Sequence, residues 1–242
     1  MERTSACRGL ATLSAVTALL AAGAASAHPH MWIDARATID IDAQHRITAV
    51  RQVWLFDEMF GAYATQGLKT GKDGSLPAAT LKGMADDWMK ALGEPISHYF
   101  TRVTADGKMA AFAAPRDARV DWNAKTKRLT LSFTLPLATP VAPEAEGAQV
   151  DIYDPTYFVA YAFDEKGAVA LGGQAAAACT SEYRKPKELD WKTMQQLAAI
   201  PADPDALPDE LFAITKGLTH RIEVRCPSVS YTHLRAHETG RN

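Results

Sequence analysis

The segment 31–41 alternates almost without a break between apolar and polar residues, and this pattern constrains the fold more than any other. Its apolar positions are Met31, Ile33, Ala35, Ala37, Ile39 and Ile41. A period of two puts every second side chain on the same face, so the segment predicts a strand that buries one face. A turn at 42–46 leads to a second strand at 47–56. We therefore expect the fold to begin with an antiparallel hairpin.

The residue pattern changes after this hairpin, where two helices are expected. Asp57 is a suitable N-cap for a short helix that runs to Gln66 and stops at Gly67. A longer helix is expected from Pro77 to Leu92. Together they form a helical insert between the hairpin and the rest of the chain.

Short segments of strand character follow the insert and are separated by turn residues. They are 99–104, 109–113, 118–122, 129–135, 150–153, 157–163, 168–171 and 218–226. A further helix is expected at 187–199. Such spacing is typical of an antiparallel sheet or a sandwich. The sequence therefore predicts an α+β fold: an antiparallel sheet or sandwich with a two-helix insert after the N-terminal hairpin.

The start of the chain, 1–27, has the pattern of a secretory signal peptide. Arg3 and Arg8 precede the apolar run 10–22, and Ala25-Ser26-Ala27 forms a small-residue cleavage signal. The apolar run is short for a helix that must cross a hydrocarbon layer of roughly 30 Å. We therefore expect cleavage after Ala27, export to the periplasm and His28 as the new N-terminus.

The end of the chain, 228–242, has no apolar period and resembles translated sequencing-adapter DNA. We expect the natural chain to stop near Pro227, so that 28–227 forms a single exported domain. The whole chain is 22% charged with a formal net charge of -2. This balance provides no basic surface for nucleic acid, and no nucleic-acid partner is expected.

Cys179 and Cys226 are the cysteines that remain after cleavage. In an oxidising compartment, two cysteines this far apart most simply form one disulfide. The competing interpretation is a pair of thiolate metal ligands. It is less favoured because neither cysteine has a Cys or His beside it at ligand spacing.

The predicted mature terminus carries the strongest chemical signal. A free N-terminal His28 offers an amine and a ring nitrogen, and His30 adds a third nitrogen nearby. Such donors suit copper, nickel, cobalt and zinc. Pro29 has no amide proton, which blocks a square-planar site built from deprotonated backbone amides. The alternative interpretation of the two histidines is a polar lead-in to the first strand.

Further metal ligands must come from elsewhere in the fold. The histidine candidates are His98, at a strand start, and His220, in the last strand. The acidic candidates are Asp57, Glu58 and Asp154. Each of these has an ordinary structural interpretation as well, and the Asp154 segment has the composition of a turn.

Calcium binding and classical catalysis find little support in the sequence. If Gly74 takes the invariant glycine position of a calcium loop, then Lys69, Gly71 and Thr80 fall where oxygen ligands belong, so no calcium site is expected. The sequence also lacks a phosphate loop, a nucleophile elbow and a metalloprotease helix. We therefore expect no enzyme of these classes.

Four separated motifs resemble a bacterial family called domain of unknown function 1007. They are His28-Pro29-His30-Met31-Trp32-Ile33-Asp34, Trp54-Leu55-Phe56-Asp57-Glu58, Tyr153-Asp154-Pro155-Thr156-Tyr157-Phe158 and Ile222-Glu223-Val224-Arg225-Cys226-Pro227. The resemblance covers essentially all of 28–227. It implies a periplasmic component of an ABC-type transport system, often accompanied by nickel, cobalt or zinc transport proteins.

The leading hypothesis is a periplasmic accessory protein that binds a transition metal and acts with an inner-membrane metal permease or ABC transporter. His28 and His30 are its first-choice ligands, and His98 or His220 completes the site. Two alternatives stay open. One is a copper oxidase built on the same N-terminal histidine, and the other is a metal-free interaction module for a permease.

Overall fold

The computed structural model describes residues 29–143, 147–198 and 214–227. The expected signal peptide, the new N-terminus at His28 and the tail at 228–242 lie outside the described residues. They stay predictions.

Among the described residues, the first sheet has six strands, and the predicted hairpin lies at its centre. Its strands are β1 (Met31–Ile41), β2 (Ile47–Phe56), β5 (Arg116–Asn123), β6 (Arg128–Val141), β8 (Val159–Ala162) and β9 (Val169–Gly173). The order is β5-β6-β2-β1-β8, and β9 pairs with β1 as well.

In the part of the chain that the structure describes, the second sheet has five strands, all paired antiparallel. Its strands are β3 (Thr101–Ala105), β4 (Lys108–Met109), β7 (Ala148–Ile152), β10 (Thr180–Arg184) and β11 (His220–Arg225). The order is β10-β11-β7-β3-β4.

Two strand pairs are parallel, which the sequence pattern did not indicate. The start of β1, Met31 to Asp34, pairs with β8, and its end, Ala37 to Ile41, pairs with β9. The chain leaves the second sheet at the end of β7, crosses at 153–158 and enters the first sheet beside the start of β1. A parallel partner requires such a crossover. Alternation along one strand indicates which face is buried. It does not indicate whether the neighbouring strand runs parallel or antiparallel to it.

The facing sides of the two sheets form one hydrophobic core. The alternating residues Ile33 and Ile39 of the first sheet are 2% and 0% exposed, and Val150 and Ile222 of the second sheet are 0% exposed. Trp54 fills the centre, where its ring lies 4.9 Å from that of Phe133 in an edge-to-face arrangement. The fold is therefore a two-layer sandwich, as the sequence predicted.

The predicted helical insert is confirmed. It consists of α1 (Glu58–Ala64) and α2 (Ala78–Leu92). Trp88 of α2 packs its ring 5.2 Å from Phe56 and 5.7 Å from Phe60, so the insert closes one end of the sandwich. A third helix, α3 (Trp191–Ala198), lies within the segment expected to be helical. None of the described helices is long and apolar enough to cross a membrane.

The predicted disulfide between Cys179 and Cys226 is present. It ties the residue before β10 to the residue after β11, at the outer edge of the second sheet. Disulfides persist in oxidising compartments, so the bond fits an exported protein.

We expect the disulfide to contribute most of its stabilisation by restricting the unfolded chain. The two cysteines are separated by 47 positions, and closure of such a loop contributes about 4 kcal/mol in the chain-entropy model. The double variant Cys179→Ser plus Cys226→Ser should lose a comparable free energy of unfolding in urea. Reductant should destabilise the wild-type protein but leave the double variant unchanged. Equal stability of the two proteins would contradict the prediction.

Candidate functional site

One end of the sandwich collects the candidate residues. The start of β1, the end of β2, the start of β3 and the crossover 153–158 all lie there. Met31, which follows His30, and Phe100, which lies two residues after His98, line the same apolar cavity. His28 lies just outside the described residues.

The backbone of His30 is held by hydrogen bonds, whereas its side chain is exposed. Its amide donates to the carbonyl of Phe158 at 2.9 Å, and the amide of Met31 donates to the same oxygen at 3.2 Å. The imidazole lies 4.9 Å from the Phe158 ring. The crossover therefore holds the start of β1 while the His30 ring lies at the surface.

Asp57 joins the first strand to the insert. Its carboxylate accepts from the amide of Trp32 at 2.9 Å through one oxygen and from the amide of Phe60 at 2.8 Å through the other. The second bond is the N-cap of α1, as predicted. The neighbouring Glu58 is exposed and lies in the first turn of α1.

His98 lies in a short 3-10 turn, His98–Phe100, which precedes β3, whereas the sequence placed it at the start of a strand. Its Nδ1 is 3.0 Å from the carbonyl oxygen of Thr101. A carbonyl only accepts, so Nδ1 carries the proton and the lone pair of the neutral ring is on Nε2. The ring is half-buried and packs 5.5 Å from Phe112.

His220 is the first residue of β11 and is 7% exposed. Its Nδ1 is 2.7 Å from the hydroxyl of Tyr183, and the ring also has a hydrogen bond with the backbone of Tyr161. Burial lowers the pKa of His220 to about 4, because a charged ring would lose its hydration. These contacts give the imidazole a structural role and leave it poorly placed to bind a metal.

Asp154 is 4% exposed and holds the crossover in shape. One oxygen accepts from the amide and the hydroxyl of Thr156, both at 2.8 Å. The other accepts from the amide of Val159 at 2.9 Å. Burial raises the pKa of Asp154, while these hydrogen bonds oppose that rise.

Asp154 and His220 line one cavity of about 120 Å³, which we name the tyrosine cavity. Its other lining residues are Tyr153, Tyr157, Val159, Ala160, Tyr161, Pro186 and Leu218. Sequence reasoning singled out Asp154 and His220 separately but missed Tyr161. The alternation of Val159, Tyr161 and Phe163 indicates that these side chains face the core, but no local pattern shows what a buried tyrosine meets there.

The second cavity at this end, of about 170 Å³, is apolar. It is lined by Met31, Ile33, Trp54, Phe56, Phe60, Trp88, Ala91, Leu92, Phe100, Leu131 and Val159. It lies between the first strand and the helical insert, and none of the described residues that line it is titratable.

Within residues 29–143, 147–198 and 214–227, no three His, Cys, Asp or Glu side chains come close enough together to hold a metal ion. Among these described residues, His30, Asp57, Glu58 and His98 do not form such a group.

Comparison with known proteins identifies the family. The model of the family described as Protein of unknown function (DUF1007) matches residues 13–226. The chain belongs to this family. An uncharacterised protein of Haemophilus influenzae is 29% identical over 144 residues, which are 59% of this DUF1007 chain and 66% of that protein. The chain thus spans just under two thirds of that relative's length. No solved structure matches the chain.

Removal of the Asp57 carboxylate should destabilise the DUF1007 fold locally and globally. Asp57→Ala leaves the amides of Trp32 and Phe60 without their acceptor, and loss of an N-cap costs about 1–2 kcal/mol. Urea unfolding should show this loss, with Asp57→Asn retaining much of the stability. Asp87→Ala, an exposed position within α2, is the matched control and should change stability by less than about 0.5 kcal/mol.

The pKa of His220 predicts a loss of stability in mild acid. The ring has a pKa of about 4 when folded and an ordinary value of 6.5, so the unfolded chain binds the proton first as pH falls. Stability should fall by about 1.4 kcal/mol per pH unit below 6.5 until the folded ring titrates near 4. Above pH 6.5 the neutral His220 ring makes its full contribution to the free energy of unfolding.

Unfolding free energies at pH 7 and pH 4.5 check this expectation. His220→Gln should lose the part of the pH dependence that the imidazole contributes, whatever its stability at pH 7. His45→Asn, at the turn between β1 and β2 where the ring is half-buried with its Nδ1 2.8 Å from the Pro227 carbonyl oxygen, should keep the wild-type slope. An unchanged slope in His220→Gln would rule out the buried neutral ring as its cause.

Proposed function

We propose that the protein is a periplasmic accessory protein that binds a transition metal at its N-terminus and acts with a nickel, cobalt or zinc permease. The observation that supports this best is the placement of His30. Its backbone is anchored to Phe158 at 2.9 Å, whereas its imidazole lies exposed at the rim of the sandwich. A ligand held in place yet open to solvent suits a site that receives and releases an ion.

The proposed primary donors are the amine and ring of His28 and the ring of His30. After cleavage behind Ala27, the three nitrogens lie within three consecutive residues. They suit copper, nickel, cobalt or zinc because these metals favour imidazole and amine ligands. Pro29 prevents the chain from wrapping the metal with deprotonated amides, so a coordination position stays open for another ligand.

His98 is the favoured additional ligand among the described residues. Its Nδ1 bond to the Thr101 carbonyl leaves the lone pair on Nε2, an arrangement that recurs in metal-bound histidines. Glu58 is exposed at the same end and offers a carboxylate. Asp57, Asp154 and His220 are left out of the proposed set because their polar atoms already hold the fold.

The exposure of His30 would also allow the bound metal ion to be transferred to a permease. An N-terminal site at the rim can present its ion to a partner without opening the sandwich. The inner-membrane permease or ABC transporter is proposed from the family resemblance, and Trp32, which is 48% exposed beside His30, provides an apolar contact there.

The first test combines the intact mass of the exported protein with titrations of copper, nickel, cobalt and zinc. The mass should show His28 as the first residue, and at least one metal should bind with one-to-one stoichiometry. His28→Ala plus His30→Ala should abolish that binding. His45→Asn removes a histidine at the opposite end of β1 and should bind as the wild type does.

A second variant distinguishes the contribution of the N-terminal amine to metal binding from that of the two imidazole rings. Addition of one alanine before His28 keeps both imidazoles but displaces the free amine, and it should weaken binding by at least tenfold. The hypothesis fails if the mature protein begins elsewhere, or if the double variant binds as tightly as the wild type. Reductant-dependent oxygen consumption by the copper-loaded protein would instead favour a copper oxidase.

A further inference from the structure

The apolar cavity between β1 and the helical insert is a feature that the proposed metal site does not use, and we call it the insert cavity. Its more deeply buried lining residues are at most 6% exposed: Ile33, Trp54, Phe56, Leu131 and Val159. Its other lining residues keep more of their surface accessible: Met31, Phe60, Trp88, Ala91, Leu92 and Phe100. The cavity is partly open to solvent, so a guest can reach these accessible side chains directly.

Water and ions are poor occupants of the insert cavity. Among the described residues, the surface that lines it contains no accessible polar atom. The indole N–H of Trp54 is already donated to Gln52 at 3.2 Å. A water molecule in a protein cavity needs about two to four polar partners, and an ion needs a ligand or an opposite charge. The lining therefore favours a guest whose buried part carries no polar group.

The volume of the insert cavity limits the guest to a compact group. It measures about 170 Å³. Apolar protein cavities of about 150 Å³, lined by leucine, isoleucine and phenylalanine, stay dry and bind benzene. The insert cavity is lined by side chains of the same kind and is slightly larger. It can therefore hold a single ring.

The rings in the wall favour an aromatic guest over an aliphatic guest of equal size. Five of the eleven lining residues are aromatic. The rings of Phe56 and Trp88 pack edge to face with 5.2 Å between their centroids, and the Phe60 ring lies 4.7 Å from that of Phe56. Aromatic rings at such distances attract each other beyond the effect of area burial. A guest ring can join this cluster through the same kind of contact.

Contacts with the rest of the fold hold the wall of the insert cavity in place. Trp54 is fixed by its hydrogen bond to Gln52 and by its edge-to-face contact with Phe133 at 4.9 Å. Phe60 is fixed by its amide, which donates to the Asp57 carboxylate at 2.8 Å. A wall that is already ordered loses little conformational entropy when a guest binds. The cavity is therefore preformed for its guest.

We propose that the insert cavity binds a small molecule through a single apolar aromatic ring, which enters between β1 and α2 and packs against Phe60, Trp88 and Phe100. Polar groups of such a ligand stay outside the cavity, in solvent. This site is separate from the proposed N-terminal metal site and does not depend on it.

The test is an NMR titration of the mature chain with benzene, observed on isotope-labelled methionine methyl groups. Met31 lines the cavity, whereas Met59 and Met109 are 64% and 59% exposed and lie outside its wall. Benzene should shift the Met31 signal saturably and leave the signals of Met59 and Met109 unchanged. Met31→Leu identifies the Met31 signal.

Two further probes of the same ring size distinguish the classes of guest. Pyrazine is aromatic, but its ring nitrogens lose their hydrogen bonds to water against an apolar wall, so it should bind about tenfold more weakly than benzene. Cyclohexane is apolar without being aromatic and should bind about two- to tenfold more weakly than benzene. All three probes are compared at equal concentrations below the solubility of cyclohexane.

Ala91→Leu places a larger apolar side chain in the wall of the insert cavity. Benzene should then bind about tenfold more weakly or not at all. The melting temperature should not fall, because the added side chain covers apolar surface. Ala79→Leu, the same substitution at another exposed position of α2 outside the cavity wall, is the matched control and should keep the wild-type affinity. Weakened binding without loss of stability excludes a folding defect as the explanation.

Four results would overturn the proposal. They are no saturable shift of the Met31 signal, equal binding of pyrazine, equal or tighter binding of cyclohexane, and unchanged benzene affinity in Ala91→Leu. Tighter binding of cyclohexane would assign the cavity an alkyl group instead. Failure here is distinguishable from failure of the metal proposal, because His28→Ala plus His30→Ala should leave benzene binding intact and Ala91→Leu should leave metal binding intact.

Discussion

A buried chain of hydrogen bonds between the two sheets sets the rest of the structure. The indole of Trp54 donates to Gln52 at 3.2 Å, the Gln52 amide donates to the Thr101 hydroxyl at 3.0 Å, and that hydroxyl donates to the carbonyl of Tyr99 at 2.9 Å. Gln52 and Thr101 are 1% and 0% exposed, so neither has water as an alternative partner. The polar pairs fix how the sheets face each other, where apolar packing alone would tolerate sliding.

The consequences of that alignment reach the end of the sandwich. Trp54 lies 5.5 Å from Tyr161 and 6.4 Å from Phe100, so its position fixes one residue of each cavity wall. The turn that carries His98 leads directly into Thr101, which anchors it to the same polar chain. The crossover 153–158 runs from the end of β7 to β8, beside the start of β1, so Asp154 and His30 lie at the same end of the sandwich.

The sequence predicted the parts of this structure that depend on local patterns. Alternation located β1 and β2, the Asp57 cap located α1, and the cysteine pair predicted the disulfide. The parallel neighbours of β1 were missed, because strand direction depends on a crossover through the other sheet. Asp154 and His220 were singled out as separate metal candidates, yet they are 66 positions apart in the sequence, and no local pattern shows that the chain folds back to bring them to one cavity.

A single peptide group joins the start of β1 to the buried carboxylate of Asp154. The carbonyl of Phe158 accepts from the amide of His30, and the amide of Val159, in the same peptide group, donates to Asp154. Hydrogen bonds at the two ends of one peptide polarise each other, so the bond that anchors the N-terminus strengthens the bond that holds the buried carboxylate. Asp154 therefore helps to position His30, in addition to lining the cavity. A carboxylate here need not touch a metal to matter for the proposed site: by fixing the crossover it fixes the strand start from which the histidines extend.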